Sequence, residues 1–163
     1  MLYFLSRTHR IDREVVTITI NRSRSAKAIV QGYGEYRALY GEVLFLPRKN
    51  MVLVSASISG FPKDRSMFHG FHIHKGESCT GIGLADTKGH YDPKQQTHPF
   101  HAGDLPPLLS YGSSAYLSFR TNRFTVRELI GRTVVIHSGT DDFRTQPSGD
   151  SGRKIACGVI RRV

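Results

Sequence analysis

"GFHIHKGESC", residues 70–79, places two histidines one residue apart in a run that otherwise reads as a strand, with a cysteine five residues beyond the second. In extended backbone successive side chains point to opposite faces, so His72 and His74 share one face and Ile73 takes the other. Such a strand can offer two metal ligands from one side. The same pattern also describes a half-exposed strand whose polar face holds histidine, and the rest of the chain must choose between them.

Around this stretch the chain is a series of short apolar runs punctuated by Gly, Pro, Asn or Asp: "GEVLFLP" at 41–47, "MVLVSASISGFP" at 51–62, "FHGFHIH" at 68–74, "SSAYLSFR" at 113–120, "RTVVIH" at 132–137 and "KIACGVI" at 154–160. Val16, Ile18 and Ile20 alternate with Thr17 and Thr19 in a further strand-like run. Helical periodicity is nearly absent. "TVRELIG", 125–131, reads as one turn, with Thr125 as cap, Glu128 at the capping-box position and Gly131 closing it. The expectation is an all-β sandwich or barrel with long loops at 75–110 and 138–154, and loops of that length in a compact domain are functional or anchored.

The 163 residues suit one domain with a core that needs no staple. We assign 26–163 to the barrel domain and 1–25 to a basic N-terminal extension. Twenty-three Lys and Arg against thirteen Asp and Glu give a net charge of +10, which favours an anionic partner. The basic residues are spread along the chain, and the densest group, Arg7, Arg10, Arg13, Arg22, Arg24 and Lys27 against Asp12 and Glu14, reads as a solvated arm. Nucleic acid is therefore not the expected partner. "MLYFLSRTHR" lacks the apolar core of a secretion signal and no run reaches membrane-spanning length, so a cytoplasmic protein without a membrane partner is expected.

The loop "GHYDPKQQTHPFHAGDLPPL", 89–108, holds His90, His98, His101 and Asp104. Three imidazoles and a carboxylate within fifteen positions form a plausible tetrahedral set for zinc, which takes nitrogen and oxygen donors at about 2.0–2.2 Å. "GRTVVIHSGTDD", 131–142, ends a strand on His137 and follows it with Asp141 and Asp142.

"GFHIH", "GHYDP", "HPFHAGDLP", "GRTVVIH" and "GRKIACGVI" occur in the order and approximate spacing of the copper-zinc superoxide dismutases, and residues 28–163 resemble that family, its bacterial branch in particular. The resemblance implies an eight-stranded Greek-key β-barrel and a reaction that disproportionates superoxide into oxygen and hydrogen peroxide. It implies copper held by His72, His74, His90 and His137, and zinc held by His90, His98, His101 and Asp104, with His90 bridging the two and supplying a proton. It further implies a disulfide between Cys79 and Cys157, which would close a long loop for roughly 4 kcal/mol. Asp141 takes the place of the carboxylate that joins a copper histidine to a zinc histidine. His9 and His69 match no ligand and are taken as surface or packing residues.

The chain departs from the family in two places. His98 and His101 are three apart, where the family separates the corresponding zinc histidines more widely. Where the family carries an arginine three residues before the second cysteine, "SGRKIAC" has Lys154, which keeps the charge and loses the guanidinium fork. Arg153 is adjacent but projects the other way in extended chain. The expected function is superoxide dismutation with Lys154 guiding the anion; the oligomeric state is open in the sequence, a homodimer being one of its options. The alternative is a metal store or decoy with little turnover.

Overall fold

Period-2 alternation shows in the burial of the strands. In β1 (Ala26–Gly32) Ala26, Ala28 and Val30 are fully buried, whereas Ile29 and Gln31 are exposed. In β3 (Met51–Ser59) Val52, Val54, Ala56 and Ile58 turn inward. β2 (Tyr40–Arg48) adds Val43 and Phe45 to the same interior. The computed structural model describes residues 24–63 and 67–163. The alternating run 16–20, His9 and the arginines at 7, 10, 13 and 22 lie outside the described residues.

The remaining strands are β4 (Met67–His69), β5 (Phe71–His74), β6 (Leu108–Tyr111), β7 (Ser114–Thr121), β8 (Thr133–His137) and β9 (Lys154–Arg162). Together they form one antiparallel sheet in the order β4-β6-β7-β3-β2-β1-β9-β8-β5. β4 and β5 stand at opposite ends of this order, yet only Gly70 separates them in sequence. They are two halves of one bent strand, the first paired with β6 and the second with β8, so the sheet curls into a barrel. Counting the bent strand once gives the expected eight. The connections from β3 to β4 and from β7 to β8 pass over intervening strands, which makes the path a Greek key.

The barrel is filled by Phe45, Ile58, Phe71, Ile73, Leu108, Ile136, Ile155 and Ile160 among others. A second, smaller cluster lies outside it, where Leu84 and Cys79 cover Val135 and Cys157 on the outer face of β8 and β9. That cover comes from the loop 75–107, which contains a short 3-10 segment, Ile82–Thr87. The turn at 125–131 includes one helical turn, α1 (Val126–Leu129), and the Glu128 carboxylate accepts from both the Thr125 N–H at 2.6 Å and its hydroxyl at 2.7 Å.

Among the described residues, sequence reading missed two strands. β1, "AKAIVQG", mixes alanine with lysine and glutamine and has a weak β signature. β6 has only four residues, directly after the prolines at 106 and 107.

Candidate metal centre

β5 sends Ile73 into the barrel and turns His72 and His74 outward, yet the two histidines are 0% and 2% exposed. The loops 75–107 and 138–153 cover this face. One edge of β5 pairs with β8, His72 opposite Val135 and His74 opposite Thr133. Along its other edge runs the loop, which bridges His74 to His90 and His72 to Asp104. The Ile73 N–H donates to the Gly103 carbonyl at 2.9 Å, and the Ile73 carbonyl accepts from the Tyr91 N–H at 2.8 Å. Any side chain at 103 would place its Cβ 2.3 Å from the Ile73 carbonyl oxygen, so this close approach requires glycine. Backbone pairing therefore sets His90 beside His74 and Asp104 beside His72, while His137 arrives at the end of β8 past a β-bulge.

The result is two groups of four that share His90. His72, His74, His90 and His137 each offer a nitrogen within 4.8 Å of the others, and so do His90, His98, His101 and Asp104 with their nitrogens and carboxylate. His72, His74, His98 and His137 each spend one nitrogen on a partner outside both groups, and His90 and His101 each turn Nδ1 to Asp104, which fixes which nitrogen remains. His74 bonds the Lys88 carbonyl through Nδ1 at 2.8 Å and His137 bonds the Gly152 carbonyl through Nδ1 at 3.2 Å, leaving the two Nε2 atoms 3.3 Å apart. Asp141 joins the groups: Oδ2 meets His72 Nε2 at 2.7 Å and Oδ1 meets His98 Nε2 at 2.9 Å. His90 Nδ1 lies 2.7 Å from the Asp104 carboxylate, and the Nδ1 atoms of His98 and His101 each lie 3.1 Å from it.

Burial makes protonation of three of these rings, His74, His90 and His137, costly. It pushes His137 down to about 3, aided by the neighbouring His72, and it lowers His74 and His90 as well. Burial works against charge on Asp141, but bonds from His72, the Phe143 N–H and His98 outweigh it and hold the carboxyl at about 2. Neutral imidazoles and ionised carboxylates are the forms that ligate metals.

Three of these atoms are otherwise unexplained. His72 Nδ1 and His90 Nε2 are buried with no hydrogen-bond partner, a cost of about 1–3 kcal/mol for each such group, and His98 Nδ1 makes no hydrogen bond either, although the Asp104 carboxylate lies 3.1 Å away. Each sits on a residue of one or both groups of four. An all-nitrogen set and an adjoining set of nitrogen with carboxylate fit copper and zinc.

Other expected site residues fall nearby. Cys79 and Cys157, 78 positions apart, form a disulfide that ties the loop 75–107 to β9. Lys154 donates through Nζ to Thr87 Oγ1 at 2.7 Å and to the Lys88 carbonyl at 2.9 Å, the same carbonyl that receives His74. Arg153 turns the other way, into an exposed ion pair with Glu35 at 2.6 Å.

Of the two roles expected for His69, surface or packing, the structure shows packing. It is 3% exposed, its Nδ1–H donates to the His137 carbonyl oxygen at 3.0 Å, and its ring lies against Phe61. The signal was present in the sequence, because His69 is in phase with Met67, Phe71 and Ile73 on the inward face. Gln146 and Arg123, which grip the backbone around His98 and His101, had no such signal.

A family model described as copper/zinc superoxide dismutase matches residues 39–160. A Cu-Zn superoxide dismutase of Legionella pneumophila is 33% identical over 129 residues, covering 74% of this chain and 77% of that protein. Another from Deinococcus radiodurans is 30% identical over 76% of this chain and 78% of its own length. Cu-Zn superoxide dismutase 2 of Aquifex aeolicus is 28% identical over 90% of this chain and 94% of its own length. With the barrel from β2 onward and both long loops inside the matched span, the chain belongs to the copper/zinc superoxide dismutase family.

Proposed function

We propose that this chain is a superoxide dismutase, converting two superoxide anions and two protons into one molecule of oxygen and one of hydrogen peroxide. The observation that carries the reading is a pair of four-residue ligand groups sharing one histidine, His90, inside a family whose cofactors are copper and zinc. We assign copper to His72 Nδ1, His74 Nε2, His90 Nε2 and His137 Nε2, and zinc to the Nδ1 atoms of His90, His98 and His101 with the Asp104 carboxylate. Copper supplies a one-electron couple, able to take an electron from one superoxide and return it to the next, and zinc supplies charge without redox change.

The chain's own residues supply the rest. His90 can hold a proton at Nε2, a nitrogen with no hydrogen-bond partner in the protein, while Asp104 keeps Nδ1 oriented. Lys154 sets a positive charge next to the His74 side of the site and draws an anion toward it. Asp141 holds the rings of His72 and His98 by their outer nitrogens, so both inner nitrogens face their groups.

Metal analysis combined with a superoxide assay on the copper- and zinc-loaded protein tests this reading. Turnover with one copper and one zinc per chain supports it. Full copper occupancy with no turnover would replace it with the metal store.

The homodimer is also a proposal. Phe68 and Leu109, a cross-strand pair, and Tyr111 and Tyr116 beside them leave large apolar surfaces exposed on the outside of β4, β6 and β7. A second copy covering them would raise the sedimentation coefficient with protein concentration, and Leu109→Lys would return it to the monomer value.

A further inference from the structure

Of the four residues assigned to zinc, two are placed by backbone pairing with the barrel and two are not. His90 and Asp104 are bridged to β5. The stretch 98–101 makes no backbone bond to a strand, and its own bonds stay local: Phe100 N–H to the Thr97 carbonyl and Asp104 N–H to the His101 carbonyl. With only two residues between His98 and His101, the segment is also too short to form an element of its own.

Two side chains from elsewhere hold it. Gln146, in the loop 138–153, takes both backbone groups of His98: the His98 N–H donates to Oε1 at 3.0 Å, and Nε2 donates to the His98 carbonyl at 2.8 Å. This is the two-bond pattern of a strand partner, supplied by one amide side chain. From the opposite connection, between β7 and α1, the Arg123 guanidinium donates to the carbonyls of Asp104 at 2.9 Å, His101 at 3.3 Å and Pro99 at 3.4 Å. Asp141 already holds the His98 ring by Nε2, so the loop 138–153 grips this residue at ring, N–H and carbonyl. Gly149 makes room for that grip, since a Cβ there would lie 2.7 Å from His98 Nε2 and closer still to Asp141.

We infer that Gln146 and Arg123 are positioning residues for the zinc half: they give His98 and His101 the fixed place that a longer loop or a strand would otherwise provide. The inference rests on the assignment of those two histidines to zinc. Neither residue would touch the ion, and each acts through the backbone of a ligand.

The test uses the full chain with its disulfide intact and its metals removed. Zn(II) is titrated against a chromophoric chelator, and Co(II) is used as a spectroscopic probe of the same half. Gln146→Leu and Arg123→Met are expected to weaken Zn(II) binding by about tenfold or more and to alter the Co(II) visible bands. Arg123→Lys, which keeps one donor, should recover part of the loss. Affinities within twofold of the parent and unchanged Co(II) bands in both variants would overturn the inference. His101→Ala separates this from failure of the ligand assignment: if it too binds Zn(II) like the parent, the assignment is what fails. Should Gln146→Leu not fold, Gln146→Glu is scored by the same measure, because it keeps the acceptor for the His98 N–H and loses the donor.

Discussion

His74 and His137, from different strands, hold their Nε2 atoms 3.3 Å apart while a backbone carbonyl occupies the other nitrogen of each ring. Neither ring belongs to the group around Asp104. His137→Ala should therefore abolish activity and copper uptake and leave zinc bound, as metal analysis would show. His90→Ala should lower the occupancy of both metals, because that ring is common to both groups. Equal loss of both metals in His137→Ala, or full zinc in His90→Ala, would contradict the assignment.

The disulfide is expected to matter for stability more than for the metal assignment. It joins the loop carrying Cys79 to the strand carrying Cys157 across 78 positions, and the chain-entropy account gives about 4 kcal/mol for a loop of that size. Reduction of the metal-free protein should lower its melting temperature by on the order of 10 °C. It should also speed amide exchange in residues 76–88, where Leu84 and Cys79 cover the outer face of β8 and β9.

Acid should unfold the metal-free protein earlier than an ordinary barrel. Folding holds His137 at about 3 against 6.5, so as pH falls below 6.5 the unfolded chain binds a proton that the folded chain refuses. Asp141, at about 2 against 3.8, adds the same sign in the lower window, where its stabilisation is lost as pH falls. Melting temperature should thus drop between roughly pH 7 and pH 4, and less steeply in His137→Gln. An equally steep drop in that variant would show that other groups carry the effect.

Lys154 gives a prediction at the other end of the pH scale. Burial lowers its pKa below the usual 10.5, so its charge, and the anion guidance assigned to it, should fade as pH rises through that lowered value. Lys154→Arg should extend activity to higher pH. Lys154→Met should slow the reaction about tenfold at low ionic strength and flatten its salt dependence. Arg153→Met, whose parent residue is paired with Glu35, should change the rate far less. A larger effect from Arg153→Met would transfer the guiding role to Arg153.

Much of this was legible in the residues. Alternation placed Ile73 inside and His72 and His74 together outside, and runs such as "MVLVSASIS" carried their own strand signal. What alternation could not show was that the outer face of β5 is as buried as the inner, because its cover comes from loops distant in sequence. The family resemblance brought those loops into view, but it did not extend to Gln146 and Arg123. Their contacts go to backbone atoms, which leave no residue type to recognise.

The bend at Gly70 carries a consequence for the chain's behaviour in a crowded solution. Because both ends of the strand order belong to one continuous strand, the sheet presents no long row of unpaired N–H and C=O groups to a passing molecule. Strand-to-strand recruitment, the route to swapped and fibrous assemblies, has to wait until the three-residue contact of β4 with β6 or the four-residue contact of β5 with β8 lets go. The second of these contacts carries His72 and His74, so whatever binds those rings also guards the seam through which the protein would aggregate.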